Sequence, residues 1–272
     1  MQTTLSSRRL SLALAAVLAL GLGAPAIAAD DPWQDIRRDV FDNRDVVEGD
    51  GAVTLEAPYR AEDAAVVPLT MHIPASAGEV KSLTLIIDKN PAPVAATFTF
   101  GEAAGKGDRM LSTRVRIDMY SNVHAVIETA DGKLHMATKF VKASGGCSAA
   151  ASKDADEALA NLGKMQVRTF DDPEMKNRTP PTREAQVMIR HPNYTGMQMD
   201  QLTREYTPAK FVQEMEVRRG GQLIFKMEGG ISISENPHFR FTFAPGDDDI
   251  VEVTAKDTDG KVFSANSAGK AS

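Results

Sequence analysis

An all-β chain of two sandwiches is predicted, and three observations carry that reading. Apolar residues recur at period two through most of the chain. Gly- and Asp-rich turns separate the runs at short, regular intervals. At 272 residues, with one sharp shift in composition, the chain is longer than one sandwich needs. The shift falls at residues 143–163, which divide a first half, residues 30–142, from a second, residues 164–268.

Met1 to Ala28 carries the features of an export leader. Arg8 and Arg9 form a basic start, Leu10 to Leu22 an apolar stretch, and Ala26-Ile27-Ala28 a small-residue cleavage signal. Residues 1–28 are therefore expected to be a signal peptide and the mature protein to be periplasmic. Ser7-Arg8-Arg9-Leu10 leaves both Sec and Tat export open. Removal of the leader takes Arg8 and Arg9 and no acid, so the net charge of −6 becomes −8. An acidic surface gives no footprint for nucleic acid, and no later stretch approaches the roughly 20 apolar residues of a membrane span.

The first element is a short helix, capped by Asp30 or Asp31 before Pro32 and running to about Asn43. Its spacing places Trp33, Ile36, Val40 and Phe41 on one face. Strands follow: Val67, Leu69, Met71 and Ile73 alternate, then Leu83, Leu85 and Ile87, then Val115, Ile117 and Met119. Asp131-Gly132 turns a hairpin between Val123–Glu128 and Leu134–Val141. A short helix is predicted over residues 153–162, stopped by Gly163. In the second half Phe211, Gln213, Met215 and Val217 share one face, Gly220-Gly221 turns the chain, and Leu223, Phe225 and Met227 return. Phe239, Phe241 and Phe243 line another face, and Asp259-Gly260 turns the final pair of strands.

Cys147 is the only cysteine. It lies in Ala143-Ser144-Gly145-Gly146-Cys147-Ser148-Ala149, where nothing bulky surrounds it, so an exposed thiol on a flexible glycine arm is expected. Six residues separate it from Val141, a reach of up to about 20 Å when extended. With no internal disulfide partner, its expected chemistry is a reversible bond to something brought to it. Lys142 is the nearest cation that could help its ionisation. No histidine neighbours it, which leaves activation to a partner enzyme.

Other clusters carry blander readings. His72, His124, His135, His191 and His238 lack ligand spacing and are read as structural or surface residues, so no metal is expected. Met197 and Met199 fit packing better than a soft copper site. Gly246-Asp247-Asp248-Asp249 lacks the spaced ligands of a calcium loop. Asp88-Lys89-Asn90-Pro91 is a turn and a candidate surface against the second half. No phosphate loop, serine elbow or zinc helix is present, and no cofactor or catalytic residue is assigned.

Two sets of motifs resemble known families. Leu85-Ile86-Ile87-Asp88-Lys89-Asn90-Pro91-Ala92-Pro93, Ala95-Ala96-Thr97-Phe98, Asp131-Gly132-Lys133-Leu134 and Gly145-Gly146-Cys147 resemble the sulfur-carrier subunit SoxY. Ile189-Arg190-His191-Pro192-Asn193-Tyr194-Thr195-Gly196, Pro208-Ala209-Lys210-Phe211-Val212, Ile233-Ser234-Glu235-Asn236-Pro237 and Asp257-Thr258-Asp259-Gly260 resemble its partner SoxZ. The arrangement is similar to fused SoxYZ-like carriers associated with periplasmic quinoprotein dehydrogenases. The resemblance implies two immunoglobulin-like β-sandwiches and a non-enzymatic periplasmic carrier in thiosulfate oxidation that holds a sulfur group on Cys147, with Gly145 and Gly146 as its arm. Sox-like sulfur-oxidising enzymes or a quinoprotein dehydrogenase system are the implied partners. Unlike the SoxY tail, Cys147 is followed by Ser148-Ala149-Ala150-Ala151 and a tethered domain, so it would approach a partner as a loop rather than a free end. Two further readings are a non-covalent accessory or scaffold protein of a quinoprotein alcohol dehydrogenase system, and a thiol-disulfide or copper-handling factor.

Overall fold

The structure, a computed structural model, describes residues 31–150, 160–170, 180–200 and 203–268. The expected leader at residues 1–28 and most of the expected helix over 153–162 lie outside the described residues. No described helix is long and apolar enough to cross a membrane.

Helix α1 spans Pro32–Phe41 and buries Ile36 and Phe41. It ends where Asp42 and Asn43 turn left-handed, at φ 52° and 58°. Val40, expected on the apolar face, is 36% exposed. Ten residues make less than three full turns, and the sheet beneath receives only the stripe formed by Trp33, Ile36 and Phe41.

The first half continues with β1 (Val46–Glu48), β2 (Thr54–Glu56), β3 (Val67–Ile73), β4 (Val80–Ile87), β5 (Val94–Phe100), β6 (Arg109–Val115), β7 (Ser121–Thr129) and β8 (Leu134–Val141). The second half supplies β9 (Met165–Phe170), β10 (Arg183–Ile189), β11 (Val212–Arg219), β12 (Gln222–Gly229), β13 (His238–Phe243), β14 (Val251–Asp257) and β15 (Val262–Asn266). The expected period-two faces of β3 and β13 are buried as predicted, including Phe239, Phe241 and Phe243. Strand β4 buries consecutive residues instead, because α1 covers its outer face through Ile86. Met119 does not extend the β6 pattern: it lies beyond the strand and is 53% exposed.

The strands form two layers, ordered β1-β8-β7-β4-β5-β12-β11-β14-β15 and β2-β3-β6-β13-β10-β9. Each half is a two-layer sandwich, and the two are joined edge to edge. Strand β5 pairs antiparallel with β12 from Phe100↔Phe225 to Ala96↔Gly229, and β6 pairs with β13 at Leu111↔Phe241 and Ser112↔Arg240. Separate cores were expected from length and composition, yet the buried residues of both halves form one continuous cluster within one compact unit. Pairing each half's open edge with the other removes two rows of unpaired backbone groups from water. Phe98 packs edge-on against Phe225 and Phe239, with ring centroids 5.7 and 6.0 Å apart, which closes the apolar layer across the joint.

Candidate functional site at the junction of the halves

Beyond β6 the chain runs Arg116-Ile117-Asp118 along the seam and receives the end of β8. Lys142 bridges to Arg60 in a short parallel pairing, and the chain then folds back. Gly145 adopts φ 78° and its N–H donates to the Asp118 carbonyl at 2.8 Å. The Gly146 N–H donates to the Ile117 carbonyl at 3.0 Å, and the Ala149 N–H closes a turn on the Gly145 carbonyl at 3.0 Å.

Cys147 sits in this turn and is 0% exposed. Its N–H donates to Asp118 Oδ1 at 3.3 Å, and its carbonyl accepts from Thr195 Oγ1 at 2.7 Å. The expected flexible, solvent-facing arm is therefore corrected to a docked turn held by both halves. The two glycines serve docking: Gly145 supplies the left-handed backbone, and Gly146 permits a close approach. A Cβ on Gly146 would lie 2.1 Å from the Ala64 carbonyl oxygen and 2.7 Å from that of Ile117. Small residues that allow an arm to swing also allow it to enter a narrow seam.

Burial pushes the Cys147 thiol up to about 11; the Asp118 carboxylate adds to this and the Arg116 guanidinium opposes it. Against an ordinary thiol, such a group holds roughly a hundredth of the thiolate near neutral pH. Lys142, expected as the helping cation, instead places Nζ 4.7 Å from the centroid of the Tyr59 ring. The cation beside the thiol is Arg116, 0% exposed, whose Nη1 donates to the Gly146 carbonyl at 3.2 Å. Burial depresses its pKa, while Glu235, Cys147 and Asp63 act the other way. Sequence reasoning missed Arg116. Period-two alternation puts Arg116 on the face opposite Val115 and Ile117, so the local pattern gave no signal for its burial; it is buried because the second half covers that face.

The frame around the turn comes from the Asp88-Lys89-Asn90-Pro91 segment, whose place against the second half is now observed. Asn90 Nδ2 donates to the Arg116 carbonyl at 2.7 Å and to Ser232 Oγ at 2.9 Å, while Asn90 Oδ1 accepts from the Asp118 N–H at 2.9 Å. Ser232 Oγ donates onward to the Ala92 carbonyl at 3.1 Å. The Arg116 N–H donates to the Ser232 carbonyl at 2.7 Å, and Ser234 Oγ to the Ala65 carbonyl at 2.8 Å. Thus residues 232–234 of the second half run beside 114–116 of the first, and one asparagine ties both to the turn.

Three of the other residues singled out serve elsewhere. His124 Nε2 lies 2.9 Å from Asp88 Oδ1, with Trp33 stacked on the imidazole at 4.5 Å between centroids. His191 Nε2 is 3.6 Å from Asp257 Oδ2, both fully buried, and burial lowers the imidazole pKa. The Met197 N–H donates to Thr195 Oγ1 at 3.1 Å, which helps hold the hydroxyl that meets Cys147. The Gly246–Asp249 segment closes on itself through a Gly246 N–H to Asp249 Oδ1 bond of 2.9 Å. Among the described residues no three His, Cys, Asp or Glu side chains gather as a metal site would require.

Thr195 is the most direct link from the second half to the cysteine, and it yields a testable expectation. Thr195→Val keeps the shape and removes the donor to the Cys147 carbonyl. Loss of one buried bond of about 1 kcal/mol is expected to raise labelling of Cys147 by a neutral alkylating reagent roughly fivefold at pH 8, with the fold intact by circular dichroism. An unchanged rate would show that this bond does not hold the turn closed.

A family model described as sulfur oxidation protein SoxY matches residues 37–147, and one described as sulphur oxidation protein SoxZ matches residues 174–268. Among solved structures, the sulfur carrier protein SoxY from Chlorobium limicola f thiosulfatophilum is similar at 23% identity. The match covers 41% of this chain and 91% of that chain, with a TM-score of 0.32. No curated protein matches the chain.

Proposed function

The chain belongs to the SoxY and SoxZ sulfur-oxidation proteins, fused in that order in one polypeptide, and from that premise we propose that it is a periplasmic carrier which holds a sulfur group covalently on Cys147. The observation that carries the reading is the placement of the cysteine. The SoxY match ends on Cys147, and that residue is seated at the seam by Asp118 of the first half and Thr195 of the second. A carrier needs its attachment atom tied to both modules that a partner enzyme would grip.

In this reading the docked turn is the closed state of the carrier. Opening it breaks the five hydrogen bonds at Gly145, Gly146 (N–H and carbonyl) and Cys147 (N–H and carbonyl) described above, a cost of about 3–7 kcal/mol. That leaves roughly one molecule in 10² to 10⁵ open, a population that a docking enzyme can draw on with its own binding energy. Opening returns the thiol to water and so restores its ordinary acidity. Joining it to thiosulfate then releases two electrons and one proton, so the loading partner is an electron-accepting oxidase. The chain itself performs no catalysis, and Sox-like sulfur-oxidising enzymes of the periplasm are the partners that supply it.

Intact mass of the protein purified without reductant from its native cell tests the proposal. The expected result, after growth on a reduced sulfur compound, is a mass shift on Cys147 that reductant removes and that Cys147→Ala abolishes. A bare thiol under every growth condition would overturn it. The burial of the thiol favours one second reading, a non-covalent accessory protein of a quinoprotein alcohol dehydrogenase system, in which the surfaces act and the sulfur does not. Under that reading Cys147→Ser leaves growth on the alcohol unchanged while gene deletion impairs it.

A further inference from the structure

We propose that Arg116 is a positioning residue that holds negative charge on the Cys147 side chain within the docked turn, so that the closed carrier retains an anionic adduct in preference to a neutral one. The inference rests on the carrier reading and deepens it by assigning a charge preference to the site.

The starting point is an unbalanced cation. Arg116 is 0% exposed, yet only Nη1 has a hydrogen-bond partner, the carbonyl of Gly146 next to the cysteine; Nε and Nη2 are buried with none. A buried guanidinium stays charged at neutral pH even when burial depresses its pKa. Two donors without acceptors in the interior are costly, and native structures seldom keep them without a reason. The nearby carboxylates leave Nε and Nη2 without an acceptor: Asp63 Oδ1 accepts from the Ala65 N–H, Asp118 Oδ1 accepts from the Cys147 N–H, and the charge of Glu235 raises the Arg116 pKa. Lys142, on the cysteine's own segment, is turned to Tyr59. The group in electrostatic contact with Arg116 that lacks a charge in its resting form is the Cys147 thiol.

An anion attached to that sulfur would supply what is missing. Oxygen or sulfur atoms bearing negative charge accept from two edges of a guanidinium fork, with the geometry fixed by the planar group. A neutral adduct of similar size would leave both donors empty and gain nothing from closure. Asp118 opposes any anion at this point, so the preference depends on Arg116 outweighing it, as its two free donors allow.

The test uses the full chain with adducts placed chemically on Cys147 in mild denaturant and then refolded. Methyl methanethiosulfonate gives the neutral S-methyl disulfide, releasing methanesulfinate. Sulfite then converts the disulfide to the anionic S-sulfonate, releasing methanethiolate. Removal of each by dithiothreitol is followed by intact mass, and the half-life is divided by that of the same adduct in the unfolded chain. The S-sulfonate is expected to be protected about tenfold more than the S-methyl group. Arg116→Met should abolish that gap while lowering S-methyl protection only by the roughly fivefold that loss of its bond to the Gly146 carbonyl brings, and Arg116→Lys should restore part of the gap. Equal protection of the two adducts in the unsubstituted protein would overturn the proposal, as would a gap that survives Arg116→Met. If Arg116→Met fails to fold, the comparison in the unsubstituted protein decides alone. An adduct-free protein from cells would sink the carrier reading while leaving this charge preference standing.

Discussion

Replacing Gly146 by alanine is expected to expel Cys147 from the seam and raise its reactivity toward a neutral alkylating reagent at least about 100-fold at pH 8. The cause is steric and specific. The new Cβ would lie 2.1 Å from the Ala64 carbonyl oxygen and 2.7 Å from the Ala64 carbonyl carbon and the Ile117 oxygen. All three are backbone atoms of packed segments and cannot yield as a flexible side chain would. The turn therefore leaves its seat, breaking the bonds to Ile117, Asp118 and Thr195 together. Labelling proceeds through the open turn, where the thiol has left the burial that pushes it up to about 11, so the rate follows the open population as it rises from a minor fraction towards one. The two sheets stay intact, but the roughly 3–7 kcal/mol contributed by closing the turn is lost, so the melting temperature should fall by roughly 10 °C or more. Gly132→Ala, at the distant β7–β8 turn where no atom lies within 4 Å of the new Cβ, serves as the control and should leave labelling unchanged. A folded Gly146→Ala protein that labels as slowly as the unsubstituted chain would show that the closed turn is not what shields the sulfur.

Asn90→Ala is expected to cost about 3–5 kcal/mol of stability. Asn90 is 4% exposed and makes three hydrogen bonds at once, to the Arg116 carbonyl, the Asp118 N–H and Ser232 Oγ. Truncation removes all three and leaves buried groups on both halves without partners, and each orphan costs about 1–3 kcal/mol unless water enters. For a chain of this size the melting temperature should drop by roughly 10 °C. Asn90→Asp keeps the acceptor for Asp118 but loses both donors and buries a charge, so it should not rescue. A loss below about 1 kcal/mol in chemical denaturation would show that the seam is held by its apolar layer alone. The two substitutions separate two properties of the site, since Gly146→Ala opens the turn while both sheets stay intact and Asn90→Ala weakens the frame that the turn docks on.

Much of this architecture was legible beforehand for physical reasons. The alternation of Val67, Leu69, Met71 and Ile73 and of the three phenylalanines of β13 follows from strands with one buried face. Asp131-Gly132, Gly220-Gly221 and Asp259-Gly260 turn as expected, with positive φ at each glycine. Errors arose where period ends: Met119 lies past the end of β6, and Val40 faces water because α1 is short. The error that mattered concerned Gly145 and Gly146. Glycine permits motion and also permits contact, and only the partner surface distinguishes the two.

The chain's own order of residues determined the two sandwich halves, their turns, the family membership carried by their motifs, and the position of the single cysteine. What it left undecided was the state of that thiol. Burial of Cys147, its neighbour Arg116 and the Asn90 tie all depend on residues 26 to 142 positions apart meeting at one seam. Such meetings follow from which strand edges pair, β5 with β12 and β6 with β13. Local pattern sets which face of a strand is apolar. The choice of neighbour is a property of the whole packed fold.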